Sequence, residues 1–264
     1  MTNKCKLMGV LNVTPDSFSD GGKFFDPRAA VSRALQMIDD GADLIDIGAE
    51  STRPGSRGVP ALEQCHRLVP VLRALRARSE IPISIDTQSA KVASVCLAEG
   101  ATMINDISAL RKDRAMAKVL SKSNCGVILM HMQGTPRTMQ KRPRYKNVVR
   151  EITVFFRQRL AACKAAGIDP ARVWLDPGIG FGKTLEHNLT ILQNLEAFAR
   201  LRRPLVIGVS RKGFLGTLTD EPIAERRVTA SVVAGLLAVQ RGASVLRVHD
   251  VAEHRAALRV LEKL

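Results

Sequence analysis

Eight times along the chain a short run of Val, Ile, Leu and Met gives way to a longer segment with helical spacing. Each apolar run closes on polar residues. Asn12 follows LMGVL, Asp46 and Glu50 lie in LIDIGAE, Asp86 follows ISI, and Asn105 follows TMI. His131 follows VILM, Asp176 follows VWL, Ser210 to Lys212 follow VIGV, and Arg247 and His249 close VLRVH. Aliphatic runs of this kind suit strands covered on both faces, as in a parallel sheet. Unpaired buried charge is costly, so polar groups at one end of every run predict a shared polar place where the eight strand ends meet.

The pattern predicts strands over 6–12, 44–48, 83–86, 103–105, 127–130, 173–175, 205–209 and 245–248. Helical periodicity follows each, over 27–40, 62–78, 89–99, 113–121, 148–166, 187–200, 223–240 and 252–262. Gly41, Gly100, Gly167 and Gly242 stand where helices should end, since glycine adopts the left-handed conformation of a helix terminus. Eight β–α units in 264 residues match an α/β (βα)₈ TIM barrel with its active site at the C-terminal ends of the strands. A doubly wound open sheet competes, but it does not ordinarily carry polar ends on every strand. No linker-like stretch divides residues 1–264, so one domain is expected. Three long connections, 13–26, 51–60 and 132–147, follow strand ends and carry Gly21, Gly22, Gly55, Gly58 and Gly134, as mobile lids would.

Composition narrows the class. The chain is 45% hydrophobic, and its longest apolar stretch, VVAGLLAV, is far below the roughly 18 residues of a membrane span. Five scattered cysteines without a CxxC pair read as thiols of a reducing cytoplasm, not a disulfide or zinc framework. The net charge of +15 would attract phosphate. Its cations are spread over helical segments such as LRALRARSE, with one Trp and one Tyr for stacking, so small anions are expected as ligands and nucleic acid is not.

Single motifs are weak. TPD and DGG after the first strand are ordinary turn chemistry. DPGIGFGKT resembles a phosphate loop but fails the Walker pattern, because Pro177 occupies the position five before Gly182 where glycine is required.

The ordered set is specific. LNVTPDSFSDGG, GAESTRPG, SIDT, NDI, LMHMQGTP, DPGIGFGK, SRKGFLG and RVHDV occur in that order from Leu7 to the carboxyl terminus. Together they resemble the dihydropteroate synthases. The resemblance implies Mg²⁺-assisted joining of 4-aminobenzoate to a dihydropterin methyl diphosphate, with pyrophosphate leaving. By motif position it implies that Asp86, Asn105, Asp176 and Lys212 hold the pterin. Asn12, Thr52, Arg53, Arg247 and His249 would surround the diphosphate, with Asn12 on the metal and Asp20 a possible second ligand, and Val248 would be a further substrate-binding residue. Phe18, Pro54, Phe181 and Lys212 would bound the aminobenzoate pocket. It also implies a homodimer packed through the last helices. Lys212, Arg247, His249 and Asp86 are the expected catalytic group.

The residue chemistry agrees with these roles. A buried carboxylate such as Asp176 can accept from both N–H groups of a pterin edge. Arginine, histidine and a metal can neutralise charge gathering on a departing diphosphate. No nucleophilic triad is present or needed. His131 reads as a structural residue of the mouth, while His66, His187 and His254 read as solvated or helical. One departure stands out: many relatives carry Ser after the SRK lysine, and here that position is Gly213. A corrinoid-type pterin methyltransferase shares the Asp and Asn positions but leaves STRPG and the SRK–RVHD pair unexplained. A non-catalytic basic barrel would have lost the polar ends.

Overall fold

The computed structural model describes residues 5–14, 26–51 and 58–264. Its strands are β1 (Lys6–Asn12), β2 (Leu44–Gly48), β3 (Ile83–Asp86), β4 (Met103–Asp106), β5 (Gly126–Met130), β6 (Val173–Asp176), β7 (Val206–Ile207) and β8 (Val245–Val248). All pair in parallel in the order β6-β5-β4-β3-β2-β1-β8-β7. A parallel bridge from Leu175 to Leu205 joins β6 to the start of β7 and closes the ring. The architecture is a (βα)₈ barrel.

Side chains alternate across each strand, and the alternation builds two cores. Leu7, Leu11, Ile45, Ile47, Ile83, Ile85, Ile104, Val127, Leu129, Val173 and Leu246 face outward to the helices. Inside the barrel, Met8, Leu44, Met103, Ile128, Val206 and Val245, with Trp174, make an apolar floor. Two residues further along the same inner face stand Asp46, Asn105, Asp176 and Arg247. Asp46 and Arg247 are therefore not strand ends, as the run pattern suggests. They are interior positions one layer below Gly48 and His249.

The helices are α1 (Pro27–Asp39), α2 (Ala61–Arg76), α3 (Ala90–Ala98), α4 (Met116–Ser121), α5 (Val148–Ala165), α6 (Leu185–Gln193), α7 (Glu196–Ala199), α8 (Gly213–Thr219), α9 (Val228–Gln240) and α10 (Val251–Leu261). Local chemistry sets their starts. Ser89 caps α3 by accepting from the Val92 N–H. At α5 the Asn147 side chain accepts from the Arg150 N–H at 2.9 Å, and Glu151 accepts from the Asn147 N–H at 3.0 Å, a reciprocal cap.

Three elements depart from the periodicity. The segment 187–200 breaks into α6 and α7 at Asn194, whose side chain donates to the Thr190 carbonyl at 2.8 Å. The segment 223–240 begins as a 3₁₀ turn, Ala224–Arg227, before α9. Helix α8 is additional to the eight expected; its two glycines are poor helix formers and hide it from a propensity reading. All five cysteines are buried free thiols, and no helix among the described residues is long and apolar enough to cross a membrane.

Candidate active site

From one layer below the barrel mouth, the Arg247 side chain links two carboxylates. Its Nε donates to Asp46 Oδ2 at 2.6 Å and its Nη2 to Asp86 Oδ2 at 3.1 Å. Asn105 Nδ2 donates to the same Asp46 oxygen at 3.1 Å. Parallel register places these groups together, because Asp86 pairs with Gly48 on β2 and with Asn105 on β4. Burial raises the pKa of Asp86, and the neighbouring charge of Asp46 adds to the shift; Arg247 opposes it, and the value stands at about 7. Burial works against the Arg247 charge, but Asp46 and Asp86 outweigh it and hold the guanidinium more firmly protonated than usual.

Asp176, at the end of β6, is buried and accepts from the Gly178 N–H at 2.7 Å. Burial raises its pKa, and Lys212 is the principal group opposing that shift. Lys212 donates to the Ile179 carbonyl, and its Nζ lies 4.8 Å from the Phe181 ring centroid. Burial lowers the Lys212 pKa to about 8 despite Asp176. The lysine is aimed by strain next door. Arg211 has a φ of 58°, an uncommon left-handed conformation for a non-glycine residue. It is held there by its own N–H donating to Ser231 Oγ at 2.8 Å and by a side-chain fork on Asp250.

His249 follows β8 with Nδ1 3.1 Å from Ser210 Oγ, which also accepts from the His249 N–H at 3.2 Å. Arg33 of α1 donates to the His249 carbonyl at 3.0 Å. Asn12 ends β1 beside Gly48 and is partly exposed. Val248 is buried in the outer core, so its side chain lies on the opposite face from Arg247.

The structure thus gathers Asn12, Asp86, Asn105, Asp176, Phe181, Lys212, Arg247 and His249 around one mouth. Phe18, Asp20, Thr52, Arg53 and Pro54 lie outside the described residues. Lys183 was not singled out by the sequence patterns, while Ser210 and Arg211 were named only as polar residues after a run, without their contacts behind His249 and Lys212. His131 is buried and neutral, its pKa lowered to about 2 by burial and then by Lys183 and Arg111. His254 is also buried, with Nδ1 2.6 Å from the Asp250 carbonyl, whereas His66 is exposed on α2 and His187 caps α6.

A profile described as "Pterin binding enzyme" matches residues 8–249. The dihydropteroate synthase of Haemophilus influenzae is 43% identical over 264 residues, covering 98% of this chain and 95% of the relative. The chain belongs to the dihydropteroate synthase family. Xanthomonas albilineans dihydropteroate synthase solved with 4-aminobenzoic acid superposes with a TM-score of 0.93 at 44% identity, covering 99% of this chain and 93% of that one. The enzyme from the same organism in complex with 7,8-dihydropteroate gives a TM-score of 0.90 at 41% identity, over 100% and 94%. Membership of the dihydropteroate synthases makes this chain a transferase.

Proposed function

We propose that this chain condenses (7,8-dihydropterin-6-yl)methyl diphosphate with 4-aminobenzoate, giving 7,8-dihydropteroate and pyrophosphate. The observation that carries the reading is the pairing, in one mouth, of a buried carboxylate beside a partly buried lysine (Asp176 and Lys212) with a partly buried guanidinium (Arg247). The first suits a flat donor-bearing heterocycle, the second a leaving anion. Asp176, Asp86 and Asn105 accept from and donate to the pterin edge, and Lys212 lies beside it. The bond from the methylene carbon to the bridging oxygen breaks as Arg247 and His249 stabilise charge on the diphosphate. The aminobenzoate nitrogen then bonds to the methylene carbon, and its surplus proton leaves to solvent or to the released pyrophosphate.

Phe181 forms a wall of the aminobenzoate pocket, with Phe18 and Pro54 completing it. Thr52 and Arg53 join the diphosphate group, and Val248 contributes through its backbone. The Asn12 side-chain oxygen is a hard donor of the kind Mg²⁺ takes alongside phosphate oxygens and water, and Asp20 is its proposed companion. When bound, Mg²⁺ would add charge neutralisation at the diphosphate. The chain acts as one domain, as a homodimer, and in the cytoplasm. The buried free thiols support the location, and an apolar face on α8 and α9 supports the dimer.

The test incubates the protein with the dihydropterin methyl diphosphate, 4-aminobenzoate and Mg²⁺ and follows pyrophosphate release and dihydropteroate formation. Absence of both products at high protein concentration would overturn the proposal.

A further inference from the structure

We infer that Asp46 is a positioning residue for both halves of the site, one carboxylate oxygen fixing the guanidinium of Arg247 and the amide of Asn105 together. The inference rests on reading the mouth as the dihydropterin diphosphate site. Asp46 is fully buried in the middle of β2, where Val10 on β1 and Ser84 on β3 are its register partners. It lies two residues below Gly48, the partner of Asp86, so it stands about 6–7 Å deeper than those two residues. From there it acts on ligands through its two partners and not by contact.

The amide argument follows from what a carboxylate can do. Paired with Arg247, Asp46 is an acceptor only, so the Asn105 atom 3.1 Å from it is the nitrogen and not the oxygen. One amide hydrogen is thereby used, and the amide cannot turn over without setting two oxygens against each other. Asn105 is left presenting Oδ1 and its second N–H in fixed order. Asn105 Oδ1 is buried and has no partner among the described residues. An acceptor beside a donor matches an amino group beside a ring nitrogen, the arrangement on the pterin edge.

The guanidinium argument is parallel. Bonds through Nε to Asp46 and through Nη2 to Asp86 fix the plane of Arg247 before any ligand arrives. A buried ion pair is weak evidence for stability, since a well-packed apolar group often serves as well. Apolar Val10 occupies the register-matched position on β1. Placement of the two neighbours, not stability, is what this carboxylate contributes.

Asp46→Asn is the test, because it keeps the shape, removes the charge and leaves the Asn105 amide free to turn over. Asp86 is faced by Asp46 on β2, Arg247 on β8, Asp106 on β4 and Glu50 beyond β2. Loss of the Asp46 charge, with Arg247 turned wholly to Asp86, moves the acid limb of kcat/KM to lower pH. Calorimetry should show dihydropterin affinity reduced at least tenfold, with preference over the 2-desamino analogue reduced and the KM for 4-aminobenzoate unchanged. A folded Asp46→Asn enzyme with unaltered acid limb, pterin affinity and selectivity overturns the inference. Should that variant not fold, Asn105→Ala, Arg247→Ala and their double variant are melted without ligand. Non-additive shifts support the shared carboxylate and additive shifts reject it. A parent enzyme that releases no pyrophosphate is a separate failure, that of the functional reading, and this inference falls with it.

Discussion

Lys183 Nζ lies 3.2 Å from His131 Nδ1, both side chains buried where the loop after β6 meets the end of β5. It also donates to the Phe181 carbonyl at 2.9 Å and the His131 carbonyl at 3.3 Å, which accounts for all three ammonium hydrogens. Burial keeps His131 neutral, so when Lys183 is an ammonium the ring nitrogen facing it accepts and the imidazole proton sits on Nε2. The His131 N–H in turn donates to the Asp176 carbonyl at 2.9 Å. The pair therefore staples the end of β5 to the pterin loop.

Lys183→Met should expose what the staple contributes. It removes a buried ammonium but strands two carbonyls and a ring nitrogen, each costing about 1–3 kcal/mol if left unsatisfied. We expect weaker dihydropterin binding and a melting temperature lower by several degrees, at about 2–4 °C per kcal/mol. Burial lowers the Lys183 pKa to about 7. Between that value and the unfolded value of 10.5 the unfolded chain binds more protons, so this group makes the parent more stable as pH rises through the window. Lys183→Met should lack that increment. Equal pH dependence of parent and variant melting would reject the assignment.

The pH profile of catalysis has two predicted limbs. Asp86 accepts from substrate as a carboxylate, so kcat/KM should rise with pH through about 7. Lys212 acts as an ammonium, so kcat/KM should fall through about 8. These limbs report the free enzyme, and Lys212→Arg should move the alkaline limb out of range in whatever activity it retains. For stability the Asp86 sign is opposite to that of Lys183. Its folded pKa is raised, so its contribution is complete below the unfolded value of 3.8 and is lost as pH rises through about 7. A flat profile from pH 6 to 9 would contradict both limbs.

Two glycines near the site should respond in opposite ways. At Gly178, with a φ of 69°, an added Cβ would stand 2.0 Å from the His131 carbonyl oxygen, a backbone atom that cannot step aside. Gly178→Ala combines that clash with left-handed strain of about 1–3 kcal/mol and should leave little folded protein. At Gly213 an added Cβ meets nothing within 4 Å. Gly213→Ser should fold at least as well as the parent, since it exchanges a flexible residue at the start of α8. It also supplies a hydroxyl directly after Lys212 and should lower the KM for 4-aminobenzoate. An unchanged KM would mean that the carboxylate is anchored elsewhere.

The barrel was legible because its signal is repeated: eight aliphatic runs, helical spacing between them and four terminal glycines define strands and helices independently of one another. The site was legible wherever a residue stood at the end of a run, as Asn12, Asp86 and Asp176 do. Asp46 and Arg247 were harder to place, since run ends and inner-face alternation coincide at most strands and diverge at theirs. Lys183 was hidden because its role lies in contacts to β5, which no local pattern encodes, and Ser210 was visible as a run end but its contact to the chain after β8 was not. Helix α8 was masked by Gly213 and Gly216 inside a motif read for its chemistry.

The proposed dimer has a definite surface. Helices α6, α8 and α9 border a cavity of about 690 Å³ lined by Leu189, Leu192, Leu218, Val233 and Leu237. Leu218, Val233 and Leu237 are each about half exposed, at 50%, 52% and 45%. Helix α9 is apolar around its circumference, which an isolated surface helix is not, and contiguous exposed apolar surface of this kind marks an association site. A second copy of the chain, related by a two-fold axis, would cover the same patch on both partners. Light scattering on the parent should give twice the chain mass. Val233→Asp with Leu237→Lys should give a folded monomer with unchanged circular dichroism, because neither side chain belongs to the inner core. A monomeric parent, or a double variant that remains dimeric, would rule out this face as the interface.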